Sequence, residues 1–206
     1  MTEAYPRSSA AQSVQITGPY SNPNLLSQVF DLVTNEYNSQ EYNGLLYHGA
    51  VSDTGTYVVT VSCDVWAGVQ RVGGVVYSTD GLNWTLVPSS SFSAEYADYK
   101  DNVEIAYGGG KFLIAGPTTD NENIGSPVFT SSDGITWSYV GRIPPSTKQY
   151  NRGIQSLVYV DGRWMGAFGN KGDAVYSDDD GATWTLVDEG FPESPKLAHS
   201  PQLGRT

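Results

Sequence analysis

From about Asn43 to Gly190, apolar and polar residues alternate with a period of two, in short runs broken by Gly-, Asp- and Ser-containing turns. Such alternation predicts half-buried β-strands joined by hairpins. Ahead of this region the period changes. Asn22 and Pro23 suit a helix cap and first helical position. After them Leu25, Leu26, Val29, Phe30, Leu32, Val33 and Tyr37 fall mostly on one face at helical spacing. This predicts one short amphipathic helix within residues 23–42, which either packs on the β body or docks to a partner. Residues 1–22 scatter Ser, Pro and Gly and read as an irregular arm, and the Pro-rich residues 191–206 read as a tail.

Within the β region a unit repeats three times. Its first copy runs from Val75 through Ser78, Asp80, Gly81 and Trp84 to Val87, and the second from Val128 through Ser131, Asp133, Gly134 and Trp137 to Val140. The third runs from Ala174 through Ser177, Asp179, Gly181 and Trp184 to Val187. Each copy is a strand, an acidic-glycine turn, a Trp and a second strand. A second landmark precedes each: Gly55-Thr56-Tyr57, Gly110-Lys111-Phe112 and Gly162-Arg163-Trp164 each lead into a strand. Upstream of these lie Leu45 to Val51, Val103 to Tyr107 and Leu157 to Val160, which read as first strands. Four strands per repeat, at a blade-like period, predict an all-β chain. The expected architecture is three four-stranded antiparallel, propeller-like blades across residues 43–190, with the single short helix in front.

The turn sequences resemble the Asp-box, or BNR, repeat of sialidases and related propellers, whose pattern is Ser-x-Asp-x-Gly-x-Thr-Trp. Ser177, Asp179, Gly181, Thr183 and Trp184 match it in full, and the other two copies are one residue shorter in the turn. The resemblance implies a structural role for the boxes, away from any catalytic centre. The chemistry of the turn agrees: an Asp carboxylate can accept backbone N–H groups of its own turn, and glycine supplies positive φ. Asp178-Asp179-Asp180 reads as a solvated turn, with a cation as the alternative. A sialidase-like enzyme would need an arginine cluster, a Tyr–Glu pair and an acid/base Asp. Among the arginines, only Arg71, Arg142 and Arg152 lie outside the tails and the turn slot of Arg163, and none stands in a recognisable family context.

Composition narrows the partners. The net charge of −11 opposes binding to phosphate backbones and anionic lipid, so neither nucleic acid nor a membrane is expected as a partner. Residues 1–11 are polar and lack the apolar run of a secretory signal. Cys63, the single cysteine, sits in a strand-like run and reads as a core thiol. His48 and His199 are far apart, and His48 reads as structural. No metal-ligand spacing, phosphate loop or nucleophile elbow is present, so neither cofactor nor metal is expected. No pair of carboxylates stands out among the 22 acidic residues.

The short boxes and the Gly-Gly-Lys-Phe turn also resemble, in style, structural proteins of tailed bacteriophages. This resemblance implies a non-enzymatic virion component, a tail, fibre or capsid-decoration part. Its partners would be other virion proteins or copies of itself, held through residues 1–42 and 191–206. The second expectation is a lectin-like module for a host-surface glycan, with Trp66, Tyr96, Tyr99 and Tyr150 as candidate sugar contacts, since exposed aromatics can stack on sugars. The third is a glycosidase.

Overall fold

A computed structural model describes residues 42–65, 70–88, 91–92, 104–116, 125–145, 153–168 and 173–187. The expected helix at 23–42 and both terminal arms lie outside these residues, except that Tyr42 already begins the first strand.

Twelve strands form three separate four-stranded antiparallel sheets, each taking its strands in chain order. Blade 1 holds β1 (Tyr42–Val51), β2 (Tyr57–Val65), β3 (Gln70–Ser78) and β4 (Thr85–Leu86). Blade 2 holds β5 (Glu104–Gly108), β6 (Lys111–Ala115), β7 (Ser126–Ser131) and β8 (Ser138–Ile143). Blade 3 holds β9 (Ile154–Val160), β10 (Arg163–Phe168), β11 (Ala174–Ser177) and β12 (Thr185–Val187). The all-β, three-blade expectation therefore holds.

Strand β5 packs against both β1 and β9, so the three sheets meet along their first strands, which form an inner edge. The turns between first and second strands, and the box turns between third and fourth, emerge at one end of the sheets. This is the box end. The hairpins from second to third strand join at the opposite, far end.

Burial follows the period of two. In blade 2, Phe112, Ile114 and Phe129 face blade 1, where they join Val58, Val75 and Val87. Leu113, Ala115 and Val128 point the other way, onto Ile154, Trp164, Phe168 and Val175 of blade 3. Both faces of the middle blade are thus core, which explains the nearly continuous apolar runs in β6 and β7. Fully burying a Phe or Leu side chain contributes about 1.5–3 kcal/mol. Phe92, from the segment after β4, enters the first seam and stacks on Trp137 at 5.7 Å.

The box tryptophans occupy equivalent places immediately before each fourth strand. Trp84 and Trp137 are buried, whereas Trp184 is only half-buried. Trp137 has Phe92 and Phe112 packed on it, the latter at 6.4 Å. Trp184 packs at the margin of the second core.

Candidate active site at the inner edge

Strand pairing shows which residues are equivalent. Tyr57, Phe112 and Trp164 pair with Ser78, Ser131 and Ser177, the first residue of each box. Three residues further on, Thr60 pairs with His48, Ala115 with Glu104 and Ala167 with Ser156. His48, Glu104 and Ser156 thus stand at one register on the three inner strands. The positions that follow them, Gly49-Ala50, Ile105-Ala106 and Leu157-Val158, are apolar, so a single polar layer crosses the inner edge.

Within that layer His48 Nδ1 lies 3.3 Å from Glu104 Oε2, across the seam between blades 1 and 2. The Glu104 side chain is only 11% exposed and that of His48 35%. Removing a carboxylate from water is costly unless it is paired, and the imidazole supplies a partner. Thr60 Oγ1 donates to the His48 carbonyl at 3.4 Å and holds that stretch of β1. Ser156 is buried at the same level in blade 3.

Toward the box end the inner edge is filled by aromatics. Tyr107 donates its hydroxyl to Asp53 of blade 1 at 3.5 Å. Tyr159, its equivalent in blade 3, packs on the end of β5 so closely that a Cβ at Gly108 would sit 2.2 Å from the tyrosine Cβ. Each inner tyrosine therefore overlies the turn of the preceding blade. The polar layer lies beyond this packing, on its far-end side.

The boxes carry different chemistry. Ser78, Ser131 and Ser177 each donate a hydroxyl to the Asp two residues on, at 2.9, 2.8 and 2.8 Å, and accept the N–H of Gly81, Gly134 and Gly181. Asp80 Oδ1 accepts N–H from Leu82 and Asn83, and Asp133 Oδ1 from Ile135 and Thr136. The third turn is one residue longer. Asp180 absorbs the extra residue at φ 58°, and Asp179 accepts both the N–H and the hydroxyl of Thr183. Trp137 and Trp184 donate their indole N–H to the carbonyls of Gly134 and Gly181.

These bonds hold the box carboxylates in their charged form. N–H groups of Asn83 and Leu82 put Asp80 far below the usual carboxylate range. The Thr183 hydroxyl and N–H lower Asp179. Partial burial pushes Asp133 upward, but the N–H groups of Thr136 and Ile135 and the Ser131 hydroxyl outweigh it, so its value is also lowered. The neighbouring acids are engaged as well. Asp178 takes a two-point contact from Arg163, whose guanidinium lies 4.2 Å over the Tyr176 ring, and Asp180 accepts from Lys111 of blade 2. The acidic run thus serves its own turn, a strand residue and a neighbouring blade, and among the described residues no group of His, Cys, Asp and Glu forms a metal-binding cluster.

The sequence-derived candidates divide accordingly. All twelve box residues lie in the three turns or on the strand ends that flank them. Trp66, Tyr96, Tyr99 and Tyr150, the candidate sugar contacts, belong to segments joining β2 to β3, β4 to β5 and β8 to β9, outside the described residues. His48, Glu104 and Ser156 were missed as a layer. His48 lies inside the first strand.

No family model matches the chain, and no curated protein matches it. Solved structures do share its fold, that of a β-propeller. One is a glycoside hydrolase of the GH130 family of mannoside phosphorylases, targeting β-1,2-mannosidic linkages in Candida mannan. It has 18% identity and a TM-score of 0.51, over 78% of this chain and 54% of that one. An exo-β-1,3-galactanase from Clostridium thermocellum gives 17% identity and a TM-score of 0.51, over 74% of this chain and 36% of that one. A glycosyl hydrolase from Bacteroides ovatus gives 17% and 0.50, over 76% and 54%. The chain spans about half of these proteins' length, or less.

Two expectations are corrected here. The non-enzymatic virion protein of a tailed bacteriophage does not stand, because the matched structures are glycoside hydrolases. The exclusion of an enzyme falls with it. It rested on the absence of a sialidase-like arginine cluster and of a recognisable catalytic constellation, and the structures that share the fold are glycoside hydrolases.

Proposed function

We propose that this chain is a glycoside hydrolase-type β-propeller that acts on a saccharide at the far-end side of the inner-edge layer. The observation that carries the reading is Glu104: a carboxylate on an inner strand, nearly withdrawn from water and touching an imidazole. In this role Glu104 exchanges a proton with the glycosidic oxygen, and Ser156 hydrogen-bonds a sugar hydroxyl. A carboxyl group held in a poorly solvated site can serve as general acid while the facing imidazole is neutral. The fold shared with three glycoside hydrolases supports the reading.

Glycoside hydrolysis usually takes two carboxylates. The described inner strands carry one.

The test is hydrolysis of a panel of aryl glycosides and of β-mannan and β-galactan oligosaccharides, followed by reducing-end release. Wild type should turn over at least one member, and Glu104→Gln, nearly isosteric, should lose about 10²–10⁴-fold in kcat/KM, the usual worth of general acid–base catalysis. Equal rates in the two proteins, or no turnover across the panel by wild type, would sink the proposal.

A further inference from the structure

His48 and Glu104 belong to different blades, so their contact exists only when blades 1 and 2 are docked. The two side chains also differ in exposure. The carboxylate is nearly sealed, while the imidazole keeps about a third of its surface in water. A group with that split can take protons from solvent on one edge and present its other edge to a sealed carboxylate. The charged groups on the strands packed around the pair are few. Besides Glu104, β1, β5 and β9 carry no Asp, Glu, Lys or Arg. On the second strands, Asp64 stands at the far end of β2, Lys111 at the box end of β6 and Arg163 at the box end of β10. Lys111 is paired with Asp180 and Arg163 with Asp178.

We infer that His48 is the positioning residue for Glu104, holding the carboxylate in place across the blade seam and coupling its proton state to that of the imidazole. The inference deepens the hydrolase reading and rests on it for its catalytic meaning, but the coupling is measurable without substrate. A carboxylate within contact distance favours the imidazolium, and an opposite charge this close typically moves a titration by about 1–3 pH units.

The chain contains two histidines, His48 and His199, so an imidazole NMR titration of the full chain gives two signals. His48→Asn assigns them, and His199 is an internal reference. On Glu104→Gln the His48 midpoint should fall by about one pH unit or more while that of His199 stays in place. An unmoved His48 midpoint overturns the inference, whatever the hydrolysis assay shows. If the midpoint moves and wild type hydrolyses nothing, the hydrolase reading fails and the coupling stands.

Where hydrolysis is seen, His48→Asn, which keeps a donor near the Nδ1 position, should retain more activity than His48→Ala. It should also lose the limb of the kcat/KM–pH profile that follows the His48 midpoint. A profile unchanged in both variants removes His48 from the reaction. Circular dichroism on each variant separates these effects from loss of the fold.

Discussion

At the box end the same repeat positions carry nearly the same residues three times over: Ser78, Ser131 and Ser177, with Asp80, Asp133 and Asp179 beside them. At the inner edge one repeat position carries His48, then Glu104, then Ser156. The difference is one of task. A box satisfies its own backbone, so every blade needs the same solution. The inner edge is where blades face one another, and there different groups can be combined into a contact that no single blade could make. Repetition marks what holds each blade together, and departure from it marks where chemistry can be assembled.

The largest stability effect should come from breaking a box where it meets its neighbour. Gly134 has φ +78°, and a Cβ there would come within 2.5 Å of Val58 Cγ2 in blade 1. Gly134→Ala should cost about 1–2 kcal/mol for the left-handed backbone, with a further ~1–3 kcal/mol from overpacking the seam. Thermal and urea denaturation would show it, and a loss below 0.5 kcal/mol would mean that the seam is not tightly packed.

Removing the acceptor alone is the next step down. Asp133→Ala strands the N–H groups of Ile135 and Thr136 and should destabilise by about 1–3 kcal/mol. Hydrolysis per folded molecule should be unchanged, because the box lies at the other end of the blade from Glu104. If Asp133→Ala folds with full stability yet loses activity, the division of labour proposed between the two regions is wrong.

A smaller effect is expected from acid. Asp80, Asp133 and Asp179 titrate below their ordinary value of 3.8, so the folded protein binds their protons less readily than the unfolded chain. Their contribution is present in full above that value and is lost as pH falls through the lower, folded-state values. Stability measured from about pH 5 downward should therefore decline, and less steeply in Asp133→Asn. An identical slope in that variant would show that Asp133 is not linked to folding.

The smallest effect belongs to Leu82. It occupies the box position that Ile135 and Ala182 hold in the other blades, and it is 56% exposed. Leu82→Ser should change stability by no more than about 0.5 kcal/mol. A larger loss in a denaturant titration would mean that the first box tip is covered in solution.

Much of this architecture was legible in the amino-acid order because its causes are local. Ser78 reaches Asp80 and Gly81 within one turn, and Gly81 takes its positive φ whatever the rest of the chain does. A motif of that kind is written in consecutive residues, and three copies of it, each with an aromatic after the preceding turn, were enough to place all twelve strands. The pairing of Asp178 with Arg163 and of Asp180 with Lys111 was less accessible, since neither partner is close in sequence.

The inner-edge layer had to wait for the tertiary structure. Five residues separate Val51 from Tyr57, where four separate Tyr107 from Phe112 and Tyr159 from Trp164. That extra residue in the first turn moves His48 out of step with Glu104 and Ser156 when the repeats are aligned along the chain. Ladder pairing removes the offset, because it matches each inner residue to the one opposite it on the second strand and not to its distance along the chain. The contact itself depends on blade packing. His48 and Glu104 are 3.3 Å apart because two sheets dock through Val58, Val75, Phe112 and Ile114. The sequence alone determined the repeat, the strands and the turns, each a short-range consequence of neighbouring residues. Only the packing of one sheet on the next decided which polar side chains meet.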